Sequence, residues 1–334
     1  MLEGSQLRQS DGRYQKIGVG IAAVAAACFV VLAFVLSTVP GRSFGLFEVA
    51  SANLGLVLTV AGVVTQFGDP WFLLLVASLV YMLGTDREFV EQPRDGVFVL
   101  AVTLAAFSFT DLLKNLFRAP RPPAADVVTA PGWLPAGLGG AFQSITTATG
   151  FAFPSGHALG TAAVFAALAS RLSIGSATTR WAVAAAGFLL VASSRVILGV
   201  HYGVDVVGGF LAGVFLFAVA ATIEDGEPLR VLLLGIVIGV FAVVLSALAP
   251  AGEVWNAGQW LGGSVGAAVA WYAVRPSRRL GLGGTLAAGI PAAVLWVAIY
   301  LTSPPLVVTV VGTAVAASVT ILAPTIADRA GVGT

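Results

Sequence analysis

Apolar stretches long enough to cross a lipid bilayer recur along this chain, and that feature limits the folds open to it. A hydrocarbon core about 30 Å thick needs roughly 20 apolar residues of α-helix, fewer where a helix is enclosed by others. Ten such stretches are readable, near 17–38, 70–85, 96–114, 155–171, 178–195, 204–223, 230–249, 257–274, 283–302 and 305–324. Only 10% of the residues are charged and 58% are hydrophobic. A soluble domain carries about a quarter charged residues. The expected class is an all-α polytopic transmembrane helix bundle. The first stretch is too long for the apolar region of a secretory signal, roughly 7 to 15 residues, and reads as a retained span. Residues 46–68 are apolar but carry Glu48, Asn53 and Gln66, so an interfacial or re-entrant helix is expected there.

Charge sets an orientation and removes some functions. Ten spans with the N-terminus in the cytoplasm put twelve of the 17 Lys and Arg residues inside, as the positive-inside rule requires. Arg42, Lys114, Arg118, Arg121 and Arg195 then fall outside. Both termini are expected in the cytoplasm. A net charge of +1 offers no basic footprint for nucleic acid. Cys28 is the single cysteine, so neither an internal disulfide nor a thiolate metal cluster can form.

The longest segment between spans, 115–154, is rich in proline and glycine and reads as an ordered external loop. Trp71 and Trp133 read as interfacial anchors. Two GxxxG matches, Gly209 to Gly213 and Gly235 to Gly239, are candidate close-packing seams, although apolar helices contain the pattern often by chance. The glycines at 281–284 lack the preceding strand that a dinucleotide loop requires. The last four spans carry no histidine and no paired charges, and read as an accessory bundle.

Charged side chains at membrane depth cost on the order of 3 kcal/mol, so they call for a reason. Here they form three groups: Lys114, Arg121 and Pro122 in KNLFRAPRP; Pro154, Ser155, Gly156 and His157 in FPSGH; and Ser194, Arg195, His201 and Asp205 in SRVILGVHYGVD. All three lie at the outer ends of expected spans. Two guanidinium groups and an ammonium brought together repel one another unless an anion sits between them, and phosphate matches the planar fork of arginine. Proline and glycine at the start of a helix let free N–H groups approach that anion, and Ser155 adds a hydroxyl. His157 would then be placed to protonate a departing oxygen. His201 and Asp205 are four residues apart, on one face if helical, so the carboxylate could fix the ring tautomer and leave the other nitrogen nucleophilic. The bland readings stand beside these: Arg121 and Arg195 could snorkel, Arg118 reads as a headgroup or tail contact, and Asp111 as an ion-pair partner of Lys114.

Together the groups resemble the signature of the type 2 phosphatidic acid phosphatase superfamily, KxxxxxxRP, PSGH and SRxxxxxHxxxD. The match runs from Lys114 to Arg121-Pro122, over Pro154 to His157, and through Ser194-Arg195 to His201 and Asp205. The resemblance implies His201 as nucleophile, His157 as acid and Asp205 as orienter. It implies Lys114, Arg121, Ser155, Gly156 and Arg195 as the phosphate cradle, with no metal and no other cofactor. It covers a six-helix core over 17–223, after a cytoplasmic N-terminus at 1–16, and leaves 224–334 as accessory. The expected activity is hydrolysis of a membrane lipid phosphate or diphosphate through a phosphohistidine. A lipid phosphotransferase and a transporter or flippase of a phosphorylated lipid are the alternatives. A haloperoxidase, which shares the constellation, does not suit a chain so strongly built for lipid.

Overall fold

The computed structural model describes residues 19–34, 55–84, 86–249, 254–275 and 281–329. The expectations for 1–16, for both termini and for the first part of 46–68 lie outside them. The described residues form helices without strands: α1 Val19–Phe34, α2 Gly55–Thr65, α3 Pro70–Leu83, α4 Pro93–Phe117, α5 Gly139–Thr146, α6 Gly156–Arg171, α7 Ala177–Ile197, α8 Gly203–Glu224, α9 Leu229–Ala247, α10 Val254–Val274, α11 Leu282–Thr302 and α12 Leu306–Arg329.

Local chemistry explains most boundaries. Pro70 and Pro93 stand in the first turns of α3 and α4, where a missing N–H costs nothing. Asp95 closes the start of α4 by accepting from the Gln92 N–H at 3.0 Å. Ser176 caps α7 by accepting from Thr179 N–H at 3.1 Å. The end of α4 is sealed by Arg118 at φ 50°, whose Nε donates to Asn115 O and whose Nη2 reaches Leu248 O beyond α9. Arg118 is therefore a helix terminator tied to α9, which corrects its reading as a lipid contact.

Ten spans are expected, whereas six described helices (α4, α7, α8, α9, α11 and α12) are long and apolar enough to cross a bilayer. The other four fall short for separate reasons. α1 ends at Phe34, where the described residues break off. α6 has 16 residues and lies enclosed by α4, α7 and α8, where lipid does not dictate its length. α10 has 21 residues, but Asn256, Gln259 and its glycines dilute its apolarity; most of its surface is covered by α4, α9 and α12. α3 has 14 residues and joins α2 through a 45° bend at Gln66–Asp69, and the pair together would make a seventh span. That bend fits the re-entrant reading of the 46–68 region over its described part.

α4 is the axis of the bundle: 89% of its most apolar window is buried, against 22% for α7. It packs on α3 and α6 on one side and on α9 and α10 on the other, so one continuous apolar cluster joins the helices before and after residue 224. Outward-facing Leu189, Leu190, Val294 and Leu301 remain exposed, as suits a lipid-facing surface. Both GxxxG seams are used. A Cβ on Gly209 would stand 2.5 Å from Ser155 O, one on Gly213 2.5 Å from Leu159 O, and one on Gly239 3.2 Å from Leu261 Cα. At the end away from the three polar groups, Arg171 binds Glu224 at 2.8 Å and Asp95 at 3.3 Å over the face of Phe98, clamping α4, α6 and α8.

Candidate active site

The other ends of α4, α6, α7 and α8 gather the three polar groups. α6 begins where Ser155, fully buried, accepts from the Ala158 N–H at 3.5 Å. The hydroxyl expected to face the anion therefore serves as the helix cap. Pro154 precedes the helix and follows a cis peptide bond, so Gly156 is the first helical residue. Gly156 is pressed onto α4: a Cβ there would lie 2.8 Å from Thr110 Cγ2 and 3.8 Å from Lys114 Nζ. Glycine is thus what lets the positive end of the α6 dipole lie beside the Lys114 ammonium.

The third group joins the second through the backbone, since Ser155 N–H donates to Asp205 O at 2.9 Å. His201 does not share a helical face with Asp205, as the spacing suggests. It lies in the turn before α8, with Asp205 in the first turn of that helix. Asp205 Oδ2 accepts from Tyr202 N–H at 2.9 Å and stands 3.5 Å from His201 Nδ1. The carboxylate is a helix cap first, and its hold on the ring is loose.

Arg121 connects the loop between α4 and α6 to this turn. Its Nε donates to Thr149 O and its Nη1 to Val200 O, both at 2.8 Å, while Nη1 also lies 3.1 Å from His201 Nε2. Guanidinium can only donate, so Nε2 is the lone-pair nitrogen and the ring proton sits on Nδ1, facing Asp205. Burial, reinforced by Arg121, Arg195, Lys114 and His157 in that order, holds the His201 imidazole neutral well below its ordinary range. Those four groups also fix the composition of the site: three cations and a second imidazole around one neutral ring. Arg195, 4% exposed, is aimed from the last turn of α7 by a 2.8 Å bond from Nη1 to Thr65 Oγ1 at the end of α2. The loop between α4 and α6 is ordered around them, with α5 inside it and Ala152 N–H bonded to Ala119 O at 2.8 Å.

Two participants are absent from the sequence reading. Asp69, at the α2–α3 bend, places Oδ1 3.4 Å from His157 Nε2. Thr65 anchors Arg195. The available signal was the polar island Gln66–Asp69 inside an apolar segment; an Asp before Pro ordinarily reads as a helix start. Asp111 is buried and accepts from Asn256 of α10 at 3.2 Å, so α10 reaches α4 one turn from Lys114.

With this arrangement in view, the comparisons with known proteins can be placed. The family profile of the PAP2 superfamily matches residues 95–227, from the first turn of α4 to just past α8. A phosphatidylglycerophosphatase B of Bacillus subtilis is 30% identical over 160 residues, which is 46% of this chain and 68% of the relative. This chain belongs to the PAP2 superfamily. An undecaprenyl-diphosphatase of Sulfolobus acidocaldarius is 33% identical over 82 residues, 25% of this chain and 38% of that protein. No solved structure gives a significant match. All three sequence groups fall inside the PAP2 match, whereas Thr65, Asp69 and everything after residue 227 lie outside it.

Proposed function

We propose that the protein hydrolyses a lipid phosphate or diphosphate at the outer face of the membrane, with the tail left in the bilayer. The observation that carries the reading is the pairing of the two imidazoles. His201 has its lone pair on Nε2 among three cations, and His157 has a carboxylate of its own in Asp69. The names of both relatives, each a phosphatase of a lipid phosphate or diphosphate, agree with it.

In the proposed course His201 Nε2 attacks phosphorus in line, and Arg121 turns its fork from the ring to the phosphoryl oxygens. Lys114, Arg195 and the first N–H groups of α6 share the charge of the five-coordinate transition state. The bond from phosphorus to the lipid oxygen breaks, and His157 gives that oxygen its proton. The phosphohistidine is then hydrolysed by water, with His157 taking the proton. A donor set of cations and imidazoles suits an anion rather than a divalent metal, so the reaction is proposed to need none. A phosphotransferase would use the same groups with a different acceptor in the second step.

The test is purified protein in detergent with EDTA, offered phosphatidate, phosphatidylglycerol phosphate and polyprenyl diphosphate. Phosphate release that survives chelation, falls with vanadate and disappears in His201→Ala is expected. Full activity in His201→Ala would refute the mechanism. Lipid movement without hydrolysis would favour the transporter alternative.

A further inference from the structure

Along α3 runs an apolar groove of about 350 Å³, walled by α4, α11 and α12. It begins at Trp71, in the first turn of α3 whose cap residue Asp69 meets His157, and ends at Met82. Eleven helical steps of 1.5 Å make it about 16 Å long, one leaflet's share of a hydrocarbon core about 30 Å thick. Its far wall is the outward face of α11, where Leu286, Ile290 and Val297 remain half exposed, so the groove opens sideways toward lipid.

We propose that this groove holds the hydrocarbon tail of the substrate, and that α11 and α12 are present to complete it. The inference rests on the lipid-phosphate reading of the site. Three features select a tail over another occupant: the length matches one leaflet, the lining is almost wholly apolar, and the upper end lies in the first turn of α3, whose cap residue Asp69 meets His157. Trp71, with its indole N–H on Gln66 Oε1 at 3.3 Å, forms the collar between headgroup and tail. Gly289 faces Met82 across the lower end of the groove, where a Cβ would come within 3.3 Å of Met82 Cε.

Filling the groove tests this. Gly289→Phe and Ala293→Phe are compared with Val294→Phe, which adds the same ring on the lipid-facing side of the same turn. Substrates are dipalmitoyl phosphatidate in mixed micelles and the short-tailed dihexanoyl phosphatidate. Both filling variants should lose at least about tenfold in kcat/KM on the long-tailed lipid, the discrimination an apolar pocket draws from one or two methylenes. They should keep wild-type rates on the short one, and Val294→Phe should keep both. Equal rates on the long-tailed lipid, or equal losses on both lipids, overturn the groove while leaving the phosphatase reading in place. A wild-type protein inactive on both removes the phosphatase reading and the groove with it. A photoreactive diazirine in the tail gives a second readout on unmodified protein: cross-links on α3 and α11 are expected, and cross-links confined to α7 or α9 contradict it.

Discussion

Replacing Asp205 separates the two jobs its carboxylate does. Oδ2 both closes the start of α8, through Tyr202 N–H at 2.9 Å, and faces His201 Nδ1 at 3.5 Å, and the side chain is fully buried. Asparagine retains an oxygen for the Tyr202 N–H but removes the charge that favours a proton on Nδ1. Alanine removes both. Helix capping is worth about 0.5 to 2 kcal/mol, and a buried N–H left without an acceptor costs about 1 to 3 kcal/mol. Asp205→Ala should therefore melt lower than wild type and Asp205→Asn close to it. For catalysis the order differs. Arg121 still donates to Nε2 in both variants, so the tautomer stays, but neither variant offsets the positive charge that His201 gains as it attacks phosphorus; losses of about 10² to 10³ are expected in both, roughly 2.7 to 4 kcal/mol. Single-turnover phosphate release and thermal unfolding in the same detergent read the two effects separately. If Asp205→Asn kept more than about a tenth of the wild-type rate, the carboxylate would be a cap alone and the charge argument would be wrong.

Two further outcomes follow from the site's electrostatics. In His157→Ala the one remaining imidazole should stay neutral by NMR well below its ordinary value of about 6.5. Because the unfolded chain takes up that proton near 6.5 and the folded one does not, His201 contributes stability that is present above that pH and lost as pH falls below it. A titration near 6.5 would contradict the burial and the three neighbouring cations. Asp69→Asn and His157→Ala should slow release of a lipid alcohol at least about tenfold more than release of p-nitrophenol, which leaves without a proton. Equal losses on both substrates would mean that Asp69 and His157 only shape the pocket.

The three polar groups were legible in the sequence because each is short and continuous: Lys114 to Arg121, Pro154 to His157 and Ser194 to Asp205 lie within single helix ends and their adjoining turns. What escaped was contact across helices. Asp69 and Thr65 reach the site only because α2 and α3 bend by 45°, and no local pattern records the direction of a bend. The ten expected spans and the six that pass on length and apolarity differ for a related reason. Apolar length measures exposure to lipid, whereas α6 and α10 are enclosed by other helices and are freed from that rule. Ser155 and Arg118 also satisfy backbone groups at helix ends, a role that sequence spacing does not separate from contact with an anion.

Gly209 and Gly213 let α8 rest on the backbone of α6, with only the Cβ atoms of Ala158 and Ala162 beside the contact. A seam made of main chain has no rotamers to adjust, so the turn that carries His201 and the helix start that carries His157 move as one piece. The spacing of the two imidazoles is then set by peptide against peptide at the starts of α6 and α8. Admission of a lipid has to come from the partners that meet this block through side chains: the bent α2–α3 pair, held by Thr65 and Asp69, and the Arg121 loop.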